Sequence, residues 1–132
     1  MYTIRFDGGS SGNPGVGGSG AVIIENSSMS VVSELALGHD MCTNNEAEYY
    51  GLLIALEEAV NKNYPISVIE GDSLLVINQI LGKWAVNAKN LKPLYVKCKS
   101  LLVNFPGVLI RHIPREQNKL ADALSWLKRP SI

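Results

Sequence analysis

Four carboxylate side chains stand at positions where a chemical role explains them better than solubility does. Asp7 ends an alternating apolar–polar run and Asp72 comes one or two residues after a β-branched run, so both follow predicted strands. Glu48 lies on a predicted helix in line with apolar residues four, seven and eleven positions later, and so shares the face that should meet a sheet. Asp122 falls in the first turns of the last predicted helix.

Together these acids predict a metal site. Groups at the carboxyl ends of neighbouring strands converge in an open α/β sheet, which would join Asp7 to Asp72, with Glu48 reaching in from the helix between them. Burying an unpaired carboxylate costs several kcal/mol, so the cluster needs cations. Hard oxygen ligands favour Mg²⁺ or Mn²⁺. Taken singly, each acid has an ordinary alternative: a turn or cap for the strand-end aspartates, and the helix dipole for Asp122.

The elements that must position these acids follow a βββαβααβα order. The order predicts an α/β fold: a mixed five-stranded sheet with three antiparallel and two parallel strands and helices on both faces. The Gly-rich segment after Asp7 is expected to be an irregular turn, and Trp126 and Leu127 are expected in the core. The predicted strands are Tyr2–Asp7, Ser19–Glu25, Ser30–Leu37, Ile66–Glu70 and Val108–Ile113, and the predicted helices run from Asn45 to about Asn61, Ser73–Ile80, Leu91–Val103 and Asn118–Lys128.

Composition narrows the class of protein. The 132 residues are 46% hydrophobic and 18% charged, which predicts one globular domain over residues 1–132. No apolar run reaches the ~20 residues of a membrane helix, and no signal peptide is evident. Two cysteines cannot form a disulfide scaffold, which favours a cytoplasmic protein. The net charge is zero, but residues 1–60 carry −7 and residues 61–132 carry +7, so either a basic nucleic-acid face or an ordinary solvated surface fits.

Four segments in this order resemble type 1 ribonuclease H, most closely the short stand-alone form that also occurs as a domain in plants, archaea and retroelement polyproteins. They are FDGGSSGNPG, TNNEAEYYGLLIAL, EGDSLLVINQI and RHIPREQNKLADAL, and the resemblance runs from about Met1 to Leu127. It implies an endonuclease that cuts the RNA strand of an RNA–DNA hybrid to 3′-hydroxyl and 5′-phosphate ends. It also implies that Asp7, Glu48, Asp72 and Asp122 hold two Mg²⁺ or Mn²⁺ ions around the scissile phosphate.

The resemblance assigns further roles. It implies that His112 helps product or a proton to leave, that Asn13, Asn44 and Asn45 touch the RNA strand, that Thr43 holds a phosphate of the DNA strand, and that Asn118 lies beside the metals. Ordinary alternatives are a packed strand histidine and turn or cap chemistry for the amides. Glu46 stands where some relatives carry a base, which predicts a weaker grip on the DNA strand.

Many relatives also insert a basic, Trp-rich protrusion that this chain lacks. The resemblance implies that Lys83, Trp84 and Lys89 replace part of it as nucleic-acid contacts, although core packing of Trp84 is the favoured alternative. GVGGSG fits the dinucleotide-binding pattern but precedes a predicted hairpin rather than a helix. Rival functions are a non-catalytic hybrid-binding module and additional cleavage of double-stranded RNA. The expected partner is the hybrid alone, with no membrane, no obligate protein partner and a monomeric chain.

Overall fold

A computed structural model describes residues 1–131 as one five-stranded sheet with helices on both faces. The elements are β1 (Tyr2–Gly12), β2 (Gly15–Glu25), β3 (Val31–Cys42), α1 (Asn44–Lys62), β4 (Ile66–Gly71), α2 (Leu74–Ile80), α3 (Lys92–Leu102), β5 (Leu109–His112), a 3₁₀ turn (Arg115–Gln117) and α4 (Lys119–Leu127). The strand order in the sheet is β3-β2-β1-β4-β5. Strands β1, β2 and β3 pair antiparallel, whereas β4 is parallel to β1 and β5 is parallel to β4. The predicted fold class is confirmed.

The sequence predicts an irregular turn for the Gly-rich segment after Asp7, and this prediction is wrong. The segment forms the paired ends of β1 and β2. These strands stay in register up to Gly12 opposite Gly15, because a backbone ladder forms whatever the side chains are. The glycines also let helices approach: a Cβ on Gly8 would overlap the Ala47 carbonyl of α1, and one on Gly20 would lie 2.5 Å from the Ala121 carbonyl of α4. Asp7 therefore lies within β1 and does not end it.

The main core lies between the sheet and α1, while α4 covers part of the opposite face. Ile4 and Phe6 of β1 pack with Leu52 and Leu56 of α1, all at most 1% exposed. Gly20 is the β2 partner of Asp7 in the antiparallel ladder, so both point to the face that α4 covers. The two helices that carry Glu48 and Asp122 thus approach β1 from opposite faces.

Three aromatic or aliphatic side chains expected in the core lie at the surface instead. Trp126 and Leu127 are 57% and 69% exposed, and Trp84 is 49% exposed. The small residues Ala121 and Ser125 form the buried stripe of α4, because the glycines of β2 bring the helix too close for larger side chains. None of the helices within residues 1–131 is both long and apolar enough to cross a membrane.

Candidate active site

The four carboxylates meet where β1 continues past the end of its neighbour β4. The parallel pairing of these strands stops at Phe6 opposite Gly71, so the β4 side of β1 is unpaired from Asp7 onward. Asp72 directly follows β4 at this point. Because no strand fills the gap, Glu48 can reach it from the α1 face and Asp122 from the α4 face, and all four line one pocket of about 490 Å³.

Three of the carboxylates are close enough to share a metal ion. One oxygen each from Asp7, Glu48 and Asp72 lies within 4.8 Å of the others. Asp122 is the fourth acid of the pocket, and Arg115 Nη2 lies 4.0 Å from its Oδ1. The Arg115 side chain is 78% exposed and that of Asp122 is 33% exposed, so solvent screens this ion pair. It therefore offsets little of the negative charge within the cluster.

The electrostatics of the cluster call for a cation. Burial, then the charge of Asp72 and a hydrogen bond with Asp122, raise the pKa of Asp7 to about 7, although the Gly8 amide donates to its Oδ1 at 2.9 Å. Burial and the charges of Asp7 and Asp72 raise the pKa of Glu48 well above its usual value. The Glu48 Oε1 atom is also buried without a hydrogen-bond partner in the described part of the chain. A divalent cation would relieve both the repulsion and the unpartnered oxygen.

Of the three amide side chains predicted to touch RNA, Asn44 lines the pocket of the carboxylates, whereas Asn13 and Asn45 do not. Asn13 Oδ1, in the β1–β2 turn, accepts from the Asn44 backbone amide at 2.9 Å. Asn44 Oδ1 accepts from the amide and the hydroxyl of Ser10 at 2.9 and 3.1 Å, and both residues line the pocket. Asn45 is half-buried in the first turn of α1 and does not line it. The result is a polar wall of hydroxyl and amide groups facing the carboxylates.

Comparison with known proteins places this arrangement in a family. A family model described as reverse transcriptase-like matches residues 5–127. The chain belongs to that family, and its domain is ribonuclease H-like. The bifunctional protein Rv2228c of Mycobacterium tuberculosis is 38% identical over 122 residues, which cover 92% of this chain and 34% of that protein. Ribonuclease HI of Halobacterium salinarum is 38% identical over 120 residues, covering 91% and 60%. The chain therefore spans about a third of the length of the mycobacterial relative.

Two solved structures are similar throughout. The N-terminal ribonuclease H domain of Rv2228c superposes with a TM-score of 0.90 at 37% identity and covers 94% of this chain and 89% of that one. LC11 ribonuclease H1, isolated from compost, has been solved in complex with an RNA/DNA hybrid; it superposes at 0.85 with 32% identity and covers 95% and 94%. These matches confirm the resemblance seen in the sequence.

In the ribonuclease H-like domain, Thr43 and Glu46 cap α1. Thr43 Oγ1 accepts from the Glu46 amide at 3.1 Å, and Glu46 Oε1 accepts from the Thr43 amide at 2.8 Å. This reciprocal capping box satisfies two amides at the start of the helix. It gives a local reason for an acid at position 46. Thr43 Oγ1 is an acceptor in this box, so its O–H can still donate, and the contact with a phosphate of the DNA strand stays a prediction.

Asn118 and His112 lie next to the carboxylates without lining their pocket. Asn118, expected beside the metals as a nucleic-acid contact or as a cap of α4, stands at the N-cap position, but its side chain makes no capping hydrogen bond. It is 1% exposed, and its Nδ2 donates to the Phe6 carbonyl at 2.8 Å, which ties the start of α4 to β1 next to Asp7. Its contact with nucleic acid stays a prediction. His112 ends β5, with Nε2 held 3.2 Å from the Asp72 carbonyl, and does not line the pocket. Its part in product or proton release stays a prediction.

The basic residues proposed to replace the missing protrusion lie away from the carboxylates. Lys83, Trp84 and Lys89 belong to the irregular segment between α2 and α3, and none of them lines the carboxylate pocket. Trp84 contributes to a separate groove with Lys92 and Tyr95. Their contact with nucleic acid stays a prediction.

Sequence reasoning did not name eight of the residues that line the pocket: Gly8, Gly9, Ser10, Ser11, Arg115, Ser125, Trp126 and Arg129. A signal for two of them exists in the sequence. Trp126 and Arg129 follow Asp122 by four and seven positions, so a helix places all three along one stripe. The apolar character of Trp126 led to its assignment to the core, which its 57% exposure contradicts.

Proposed function

We propose that this chain is a metal-dependent endoribonuclease that hydrolyses the RNA strand of RNA–DNA hybrids. The observation that carries the proposal is the cluster of Asp7, Glu48 and Asp72, whose oxygens lie within 4.8 Å of one another. Repulsion and burial in this cluster raise the pKa of two of the acids, and one Glu48 oxygen lacks a partner. Such a site is costly without a cation and suited to hard divalent ions.

The proposal assigns distinct tasks to this chain's residues. Asp7, Glu48, Asp72 and Asp122 would hold two Mg²⁺ or Mn²⁺ ions, the number that the family resemblance implies. When bound, such ions activate water as the nucleophile and stabilise the charge on the leaving 3′ oxygen, which gives 3′-hydroxyl and 5′-phosphate products. The hydroxyl and amide groups of the Ser10–Asn44 wall would contact the 2′-hydroxyl groups that distinguish RNA from DNA. His112, beside Asp72, would assist departure of the product.

Relatives support the choice of substrate. The archaeal relative is named a ribonuclease HI, and the LC11 enzyme, 32% identical, binds an RNA/DNA hybrid in its crystal structure. Because the four carboxylates and the Ser10–Asn44 wall lie within residues 5–127, which the family model matches, we transfer the substrate class to this chain.

The test is cleavage of a labelled RNA–DNA hybrid with Mg²⁺ or Mn²⁺, beside matched duplex RNA, duplex DNA and single-stranded RNA. We expect cleavage of the hybrid RNA strand only, abolished by chelator and lowered by at least about 10²-fold in Asp7→Asn, because a lost metal ligand disrupts transition-state stabilisation. Asp40→Asn, an exposed acid on β3, is the matched control and should retain full activity. Equal turnover by Asp7→Asn would overturn the proposal.

Two other outcomes would identify the rival functions. Salt-sensitive binding without turnover would identify a non-catalytic hybrid-binding module, and cleavage of the duplex RNA would show an additional activity on double-stranded RNA.

The proposal extends to the state of the molecule. We propose a monomer without an obligate protein partner, folded as one domain over residues 1–132 and located in the cytoplasm. The two buried free cysteines, Cys42 and Cys98, suit a reducing compartment. Sedimentation should give a mass near 14.3 kDa, and unfolding should follow a single transition. A concentration-dependent dimer, or two transitions, would contradict these assignments.

A further inference from the structure

Just beyond the C-terminal end of α4, a cation extends the carboxylate pocket without an ion-pair partner among residues 1–131. The Arg129 guanidinium lies with its Cζ 3.6 Å from the centroid of the Trp126 ring. In the described part of the chain its Nη1 donates to Ser11 Oγ at 3.5 Å, and its Nε is buried with no hydrogen-bond partner. Both residues line the pocket that holds the carboxylates. We name the end of the pocket formed by Gly9, Ser10, Ser11, Trp126 and Arg129 the rim subsite.

Within residues 1–131 no carboxylate forms an ion pair with Arg129, although the charges of Asp122 and Asp7 act on it across the pocket. Among residues 1–131 the recorded ion pairs join Arg5 and Arg111 to Glu70 and Arg115 to Asp122, and none includes Arg129. Withdrawing a guanidinium from water is unfavourable unless an anion or several acceptors replace the lost hydration. The indole face of Trp126 compensates in part and holds the guanidinium plane, which leaves its donors available to a ligand.

Helix geometry sets where this cation lies relative to the metal site. Asp122, Trp126 and Arg129 are spaced four and then three residues apart, so they share one stripe of α4 and its C-terminal turn. The guanidinium lies beside Gly9 and Ser11, two and four residues beyond Asp7 along β1. Two strand residues span roughly 7 Å, so Arg129 is placed to bind a phosphate next to the one held at the carboxylates.

We propose that Arg129, oriented by Trp126, binds a backbone phosphate of the RNA strand next to the one that is cleaved. Arginine suits this task because its planar fork donates two parallel hydrogen bonds to phosphate oxygens. The Ser11 hydroxyl, which accepts from Arg129 Nη1, keeps its own proton and can supply a further donor. Trp126 acts as a positioning residue and Arg129 as a substrate-binding residue. This inference rests on the proposed function, since it takes the strand in the pocket to be RNA.

The first test measures hybrid affinity in an Asp7→Asn background by fluorescence anisotropy over a range of salt concentrations, so that the readout does not depend on turnover. Arg129→Gln should raise Kd about tenfold and reduce the slope of log Kd against log salt by about one, as expected for one lost phosphate contact. Arg129→Lys should recover the slope but only part of the affinity. Lys128→Gln, an exposed neighbour with the same change in charge, is the control and should change Kd less than twofold.

The second test locates the contact. Single neutral methylphosphonate linkages are placed at successive positions of the RNA strand or of the DNA strand. One RNA linkage beside the cleavage site should weaken binding by the Asp7→Asn chain but not by the Asp7→Asn chain that also carries Arg129→Gln. In the active chain, Arg129→Gln and Trp126→Ala should raise KM with little change in kcat. Thermal melts of each variant identify any loss of folding, and Arg129→Lys provides the comparison if Arg129→Gln is unstable.

The outcomes separate this inference from the proposed function. Cleavage by the unsubstituted chain with an unchanged salt slope in Arg129→Gln, or equal effects of Arg129→Gln and Lys128→Gln, would overturn the rim subsite alone. Loss of the contact at a DNA linkage would also overturn it. No metal-dependent cleavage by the unsubstituted chain would overturn the proposed function instead.

Discussion

Burial and neighbouring charges shift the pKa values of individual acids in and near the site. They favour the protonated form of Asp7 and Glu48 and the ionised form of Glu70. Burial alone would raise the pKa of Glu70, but hydrogen bonds from Arg5 and Arg111, at 2.8 and 2.7 Å, lower it. The acids of the pocket therefore have raised pKa values and Glu70 a lowered one. Each predicts a different dependence of the free energy of unfolding on pH.

Removing the charge of Asp7 should stabilise the metal-free protein near pH 8. Its folded pKa of about 7 exceeds the ordinary value of 3.8, so between these values the folded state binds more protons than the unfolded state. The free energy of unfolding therefore falls as pH rises from about 4 to 7. Asp7→Asn should remove the part of this fall that comes from Asp7, leave the part that comes from Glu48, whose pKa is also raised, and gain on the order of 2 kcal/mol at pH 8. Chemical denaturation with chelator at pH 5 and pH 8 measures it, with Asp40→Asn as control; parallel pH profiles for Asp7→Asn and the unsubstituted chain would refute it.

Glu70 should contribute stability that disappears in acid. Its folded pKa lies below the ordinary value of 4.5, so its contribution is present above pH 4.5 and is lost as pH falls through the folded pKa. Glu70→Gln should cost about 1–2 kcal/mol at pH 7, moderated because Arg5 and Arg111 keep 30% and 55% of their side-chain exposure. Urea titrations from pH 3 to pH 7 check this, beside Glu34→Gln on the exposed face of β3. A Glu70→Gln penalty that is the same at pH 3 and pH 7 would contradict it.

At the scale of elements, the close approach of α4 to β2 determines where Asp122 lies. Gly18 and Gly20 of β2 face the backbone of α4 around Ser125, so the helix lies directly on the strand. Asn118 adds a hydrogen bond from the start of α4 to β1. The placement of the fourth carboxylate is therefore a property of the β2–α4 interface and not of a flexible loop.

Gly20→Ala should displace α4. The added Cβ would lie 2.5 Å from both the Ala121 carbonyl oxygen and the Ser125 amide nitrogen, and these backbone atoms cannot rotate away. We expect a loss of about 1–3 kcal/mol in the free energy of unfolding and a fall in kcat as Asp122 moves. Gly9→Ala is the matched comparison, because its nearest contact is the flexible end of Arg129 at 3.3 Å, so it should cost less stability. Equal melting temperatures for Gly20→Ala and the unsubstituted chain would exclude this account.

Helices and strands could be predicted from the sequence where the pattern that defines them is local. The apolar stripe on the Glu48 face predicts α1, and the β-branched run before Asp72 predicts β4. The Gly-rich strand ends could not be predicted, because their pairing comes from a backbone ladder and their glycines from helices that pack on them later in the chain. The exposure of Trp126 likewise depends on this close packing. The hydrogen bond from Asn118 to the Phe6 carbonyl could not be predicted either, because it joins residues 112 positions apart.

For the whole molecule, acids from four separate elements, β1, α1, the β4–α2 junction and α4, meet in one pocket. Any ligand that neutralises them binds only the folded state, so metal binding and folding are linked. Residues 61–132, which carry the net positive charge of the chain, also contribute Asp122 and Arg129 to this pocket.

Divalent ions should raise the melting temperature in a pH-dependent way. Mg²⁺ or Mn²⁺ at 100 times its Kd should add about 2.7 kcal/mol to the free energy of unfolding. The increment should be larger at pH 8 than at pH 5, because protons compete for Asp7 and Glu48, whose pKa values are raised. Calorimetry with metal, with chelator and with NaCl of equal ionic strength measures it. An increment that is equal at both pH values, or equal in Asp7→Asn, would count against the metal site.

Because Glu48 reaches the pocket from one side of the sheet and Asp122 from the other, the spacing between the helices and the sheet fixes how far apart these carboxylates stand. A methyl group added to the interior under α1 or α4 would increase that separation without contacting either acid. In the proposed metal site, substitutions that repack either layer should therefore change whether a larger or a smaller ion is preferred.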